Sequence, residues 1–280
     1  NISFISNNNI SQNGAIALAA NTSSNSSNVS YDVTAGNKLS SIITGQLSVT
    51  AGSLSNINYS VLASGAAMNI ASAVTVPGAI TLDNTYGCSG SGCSPATGYM
   101  NTALVGWSTL ATTSGYGVLV NGNLSGTAIT VNGVNAGGTT GGGGSVALAG
   151  GLTATSGNIN INGLTTTGIA VGNLYGSAWG ITPIIANSGA VNITGTSTTT
   201  GNGVELGPNN SISAKSITII GSEVGGQYAV YLNTLTIVAG GTNLNVTGTV
   251  VTNTDTGIYQ SGAITDNAAG SNISFITNGK

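Results

Sequence analysis

The sequence predicts an all-β chain, a right-handed parallel β-helix with about three short strands per coil of roughly 29 residues. Three observations predict it. An alternating apolar motif closed by glycine recurs at a nearly constant interval. Only nine of the 280 residues are charged, while 45 are glycine. Ser, Thr and Asn fill the polar positions, so the outer face must be held in water by hydrogen bonding rather than by charge.

The first strand of each coil carries the recurring motif apolar-x-apolar-x-Gly. It occurs at Ile129/Val131/Gly133, Ile159/Ile161/Gly163, Val191/Ile193/Gly195, Ile217/Ile219/Gly221 and Leu244/Val246/Gly248, and again at Ile273/Phe275 with Thr277 in place of glycine. The starts are 30, 32, 26, 27 and 29 residues apart. Side chains alternate between the two faces of a strand, so Ile159 and Ile161 share one face while Asn158, Asn160 and Asn162 share the other.

A second element follows at Gly117–Val120, Gly168–Val171, Gly203–Leu206, Ala229–Leu232 and Gly257–Tyr259. A third follows at Ile212 with Ala214, Leu235 with Ile237, and Ala263 with Ile264. Gly, Asn and Thr separate the elements, as turns require. Earlier in the chain, Leu47/Val49, Ile57/Tyr59, Met68/Ile70 and Ile80/Leu82 alternate in the same way. No single three-strand unit can bury its apolar face alone, but stacked units bury a continuous column. The right hand is expected from the chirality of crossovers between parallel strands. A β-sandwich would lack the regular interval, and propeller blades are longer.

Three segments interrupt the regular spacing and read as loop insertions, near 83–101, 137–144 and 172–183. The first holds the two cysteines, Cys88 and Cys93, separated by Ser-Gly-Ser-Gly. They read as a local disulfide in an oxidising compartment or as two free thiols in a surface loop. The third holds Tyr175 and Trp179.

The chain's two ends resemble each other. Residues 1–6 read Asn-Ile-Ser-Phe-Ile-Ser and residues 272–277 read Asn-Ile-Ser-Phe-Ile-Thr, and they contain both phenylalanines, Phe4 and Phe275. Residues 1–280 are therefore expected to form a single solenoid segment, one unit of a longer tandem array. Its expected partner is itself, through end-to-end or tandem continuation.

The run Ser188-Gly-Ala-Val-Asn-Ile-Thr-Gly-Thr-Ser-Thr-Thr-Thr-Gly-Asn-Gly-Val-Glu-Leu206, followed by Ile212-Ser-Ala-Lys-Ser-Ile-Thr-Ile219, is similar to the repeats of filamentous-haemagglutinin-like exoproteins of the two-partner-secretion type. The resemblance covers most of residues 100–280. It implies a β-helical shaft at the cell surface or outside the cell, with roles in adhesion, aggregation or biofilm. The secretion domain expected at the N-terminus of that family is not recognisable, and no binding residue carries over.

Composition narrows the chemistry. Three lysines and no arginine cannot neutralise a nucleic-acid backbone. No apolar run is long enough to form a transmembrane helix. Without histidine there is no ordinary catalytic triad, and the glycine-rich run at 137–144 lacks the lysine of a phosphate-binding loop. Two cysteines without histidine make a poor zinc site, and the aspartates do not recur in register as calcium-binding nonapeptide repeats require, so no metal or cofactor is expected.

Glycoside hydrolysis would need two carboxylates across the scissile bond. The available pairs are Asp255 with Asp266, and Glu205 with Glu223. Solvated side chains are the plainer reading, and a non-enzymatic role is expected. Trp107, Trp179, Tyr175 and Tyr86 offer rings that could stack on sugars, or pack over a solenoid corner. The alternatives to a fibre are thus a polysaccharide-binding module and a β-helix carbohydrate-active enzyme. With so few ionisable groups, stability is expected to vary little between about pH 5 and 9.

Overall fold

A computed structural model gives the structure of the chain and describes residues 2–6, 10–12, 14–20, 27–33, 41–44, 47–51, 57–63, 67–84, 117–135, 144–173, 183–208, 210–237, 243–252, 254–266 and 270–278. All regular structure among them is β-strand. The strands form three parallel sheets. Sheet A has ten strands, from Ile2–Ile5 to Asn272–Thr277. Sheet B has nine, from Ile10–Ser11 to Thr256–Gln260, and sheet C has nine, from Ile16–Ala20 to Ile264–Asp266. The chain visits A, B and C in turn, and each strand pairs with the strands one coil away. The result is a β-solenoid of about 28 residues per turn.

The sequence repeat and the strand register coincide. Ile129 pairs with Ile159, Ile159 with Val191, Val191 with Ile217, Ile217 with Leu244 and Leu244 with Ile273. These are the motif starts. The same ladder reaches back through Ile80, Tyr59 and Val29 to Ile2. Two residues along, Phe4, Tyr31, Val61, Leu82, Val131, Ile161, Ile193, Ile219, Val246 and Phe275 form a second inward column. A one-residue slip would turn every one of these side chains outward, so the apolar pattern fixes the register. Near the start the core is aromatic. Phe4 stacks on Tyr31 at 4.8 Å, and Tyr31 meets Tyr59 edge-on at 5.7 Å.

The motif glycine has a steric cause. After the second apolar residue, sheet A runs directly against sheet B of the same coil. A Cβ on Gly195 would lie 1.9 Å from the carbonyl oxygen of Gly203, and one on Gly221 would lie 1.9 Å from that of Ala229. Only glycine permits that approach.

Asparagines tie the coils together outside the core. Asn162 donates to Asn132 at 2.9 Å, Asn192 to Asn160 at 2.8 Å and Asn272 to Asn243 at 3.0 Å. At corners, the Oδ1 atoms of Asn58, Asn123 and Asn158 accept the N–H groups of Ala79, Gly151 and Ala190 one coil on. Buried Asn84 grips a neighbouring coil twice, accepting from the N–H of Val134 at 2.7 Å and donating to its carbonyl at 3.1 Å. Asn278 repeats this grip on Val250, at 2.9 and 3.2 Å.

Two details of the structure go beyond the sequence pattern. In sheet C, Ile212 is level with Ile237, and Leu235 with Ile264. Asn210, a buried polar residue, occupies the position level with Leu235 and donates to the carbonyl of Gly207 at 2.5 Å. The strands also reach into the expected insertions. Asp83 ends the strand Ile80–Asp83, Gly144 begins Gly144–Leu148, Gly172 lies within Ile169–Asn173, and Pro183 begins Pro183–Ala186. Residues 85–116, 136–143 and 174–182 lie outside the described residues.

Candidate functional site

Cys88, Cys93, Trp107, Tyr175, Trp179 and Tyr86 lie outside the described residues. The carboxylates can be placed. Glu205 sits on sheet B beside Tyr231 of the next coil, and Asn202 donates to its Oε2 at 2.7 Å. Asp266 ends the sheet C strand Ile264–Asp266 and accepts from Ser271 at 3.2 Å. Asp255 precedes sheet B, in the corner after the sheet A strand Asn243–Val250. It therefore shares a coil with Asp266 but lies at a different corner.

Glu223 ends the sheet A strand Ser216–Glu223 and obeys its inward parity. It is level with Ser197 on one side and Val250 on the other. In the preceding coils this position caps the turn: Thr165 donates to the carbonyl of Thr167 at 2.6 Å and Ser197 to that of Thr200 at 3.1 Å. Glu223 reverses the polarity and accepts from the N–H of Gly226. The carboxylate it meets is that of Asp255, not Glu205. Burial raises the Glu223 pKa, the Gly226 N–H opposes that rise, and the Asp255 charge adds to it. Glu223 has no exposed surface, so it cannot reach a polymeric substrate directly.

The aromatic surface among the described residues is a tyrosine cluster on sheet B. Tyr228 stacks on Tyr259 with centroids 4.7 Å apart, and Tyr231 stacks on Tyr259 at 5.6 Å. Ser261 donates to the Tyr231 hydroxyl at 2.9 Å. Tyr259 is 41% exposed. The repeat alignment already contains the signal for this cluster. Tyr231 and Tyr259 occupy equivalent places in Ala229-Val-Tyr-Leu232 and Gly257-Ile-Tyr259, and the register pairs them directly. Tyr228 carries no such signal, because it precedes the repeated motif.

The edge of sheet A is the other distinctive surface. In its last strand Ile273 and Phe275 are each 43% exposed and Ile276 is 58% exposed. Ile273 and Phe275 are the last members of the two inward columns, whereas Ile276 stands on the outer face, level with Thr247 and the exposed Ile220. No family model, curated protein or solved structure matches the chain.

Proposed function

We propose that the chain is a structural segment of a secreted extracellular fibre of the adhesin type, and that its work is reach and self-association. One observation carries the reading. The edge strands of sheet A, Ile2–Ile5 and Asn272–Thr277, have nearly the same sequence and occupy the same columns. A second copy placed on Asn272–Thr277 in continuing register sets Ile2 over Ile273 and Phe4 over Phe275. Ring would meet ring as Phe4 meets Tyr31 at 4.8 Å. Because the two surfaces differ and the contact is a translation along the axis, it does not close and yields a filament. The sparse charge, the polar Asn and Thr exterior, and the resemblance of residues 188–219 to filamentous-haemagglutinin-like repeats support the extracellular setting.

Electron microscopy of the native material tests this. The expected result is unbranched filaments with an axial rise near 4.8 Å per coil. Discrete short rods at every concentration would overturn the self-association.

A second reading rests on the tyrosine cluster. Tyr228, Tyr231 and Tyr259 present aromatic surface of the kind that stacks on sugar rings, as a polysaccharide-binding module would. Binding to a panel of surface polysaccharides, lost on Tyr259→Ala with the fold intact, would favour it over the shaft. No binding across the panel removes it.

A further inference from the structure

The tyrosine cluster brings three phenols from two successive coils into contact. Tyr228 and Tyr231 lie on the sheet B strand Tyr228–Leu232, and Tyr259 lies on the next, Thr256–Gln260. Tyr228 and Tyr259 are nearly parallel, with planes 18° apart and centroids at 4.7 Å. Tyr231 stacks on Tyr259 at 26° and 5.6 Å, and meets Tyr228 at 5.5 Å. Tyr259 is exposed, while Tyr228 and Tyr231 are half-buried. The Tyr231 hydroxyl accepts from Ser261 at 2.9 Å and from Asn233 at 3.4 Å, which holds that ring at its tip. The tyrosines of the core differ on both counts. Tyr31 and Tyr59 meet edge-on, and neither is more than 1% exposed.

An exposed phenol yields one electron and its phenolic proton to a one-electron oxidant. Two such radicals couple at the carbons ortho to their oxygens. Coupling is favoured where the second ring is already in contact, because the entropic cost of the encounter has been met by the fold. Tyr228 and Tyr259 are the closest pair, and one of them faces solvent.

We propose that Tyr228 and Tyr259 form a site of oxidative cross-linking, at which an oxidant of the haem-peroxidase type, fed with hydrogen peroxide, joins two successive coils through a dityrosine bond. Each phenol gives up one electron and one proton, and the peroxide takes up two of each and leaves as two waters. A carbon–carbon bond forms between the ortho carbons. The two ortho hydrogens move to the oxygens and restore both phenols. Tyr231, in contact with both rings, is a positioning residue. The bond ties together the last two strands of sheet B and so holds the end coil in place. The sequence shows the equivalence of Tyr231 and Tyr259, but only the fold brings Tyr228 to Tyr259. The assignment depends on neither the fibre nor the polysaccharide reading.

The test treats the whole chain, dilute and at neutral pH, with a haem peroxidase and hydrogen peroxide. Dityrosine fluorescence is expected without a change in chain mass on a denaturing gel. Mass spectrometry after proteolysis should place the bond between Tyr228 and Tyr259. The treated chain should melt about 5 °C higher, as the closure of a loop of roughly 30 residues implies. Tyr259→Phe removes only a hydroxyl from an exposed ring, so the stack and the fold, checked by circular dichroism, should survive. Its dityrosine yield should fall about tenfold, and its melting temperature should not respond to the treatment. No dityrosine in the native chain, a bond mapped to other tyrosines or only between chains, or undiminished yield from Tyr259→Phe overturns the proposal.

Discussion

Phe4 and Phe275 stand in one inward-facing column of sheet A, at opposite ends of its ten-strand ladder. Phe4 is packed against the core, whereas Phe275 is 43% exposed. Placing a charge at the open end should therefore cost little folding stability and much assembly. Phe275→Glu is expected to lower stability by about 1 kcal/mol, because a half-exposed ring contributes only part of its burial energy. The same change should abolish filaments, by setting an unpaired charge against Phe4 of the next copy. Sedimentation velocity alongside thermal melting separates the two effects. A variant that melts normally and still forms filaments would show that the joint lies elsewhere.

The motif glycines admit a sharp substitution. Gly221→Ala drives a methyl group into the Ala229 carbonyl, 1.9 Å away. Backbone cannot swing aside as a flexible side chain does, so the loss is expected to be about 3 kcal/mol. Gly14, with nothing within 4 Å of an added Cβ, should accept alanine at no measurable cost. Chemical denaturation of the two variants side by side checks the contrast.

Asn84 and Asn278 make the same two-armed grip, but the first is buried and the second is exposed. Removing Asn84 strands a buried N–H and a buried carbonyl on Val134. Removing Asn278 lets water take over at Val250. Asn84→Ala should thus cost about 2 kcal/mol, and Asn278→Ala under about 1 kcal/mol. Equal losses would mean that the side chains act through something other than backbone satisfaction.

Acidity should act through the Glu223 corner. Burial and the Asp255 charge raise the Glu223 pKa, so the folded chain binds that proton more tightly than the unfolded chain does. The Glu223 contribution to stability is expected to be greatest below the unfolded carboxyl value, about 4.3, and to fall as pH rises above it. The near-flat profile that the composition suggests is thereby tilted. Glu223→Gln should remove the fall and raise the melting temperature at pH 7. Burial also pushes the Tyr31 phenol up to about 12, so a second fall is expected above about pH 10. Melting curves across pH for the native and Glu223→Gln chains provide the check.

Much of the fold is legible in the sequence, because sheet A advertises itself. Five of its strands, from Ile129–Asn135 to Asn243–Val250, each contribute two branched apolar residues and a sterically required glycine, and the starts of that pattern are the paired residues. Sheet C is far less visible. The strands Leu124–Gly126 and Leu152–Ala154 each bury a single large apolar residue, too little for alternation to show. Asn210 hides the register further, by putting a polar group at a core position whose hydrogen bond is invisible in the sequence. The tyrosine cluster is half legible, since Tyr231 and Tyr259 fall in the repeat while Tyr228 does not. Glu223 was visible as an acid but not as an inward one. Its direction follows from parity counted through Gly221, and its neighbour Asp255 depends on which coil lands above it.

The parallel ladders have a mechanical consequence. Their hydrogen bonds run along the solenoid axis, so a pull on the two ends loads every coil in series, and an end coil, held by ladders on one side alone, peels away first. Each coil of about 28 residues then releases roughly 90 Å of slack at the extended spacing. The coils are unequal: Asn58 and its partner Ala79 are 21 residues apart, whereas Asp83 and its partner Asn132 are 49 apart. A stretched molecule would lengthen in unequal jumps, shedding its tension one turn at a time while the rest of the rod kept its shape.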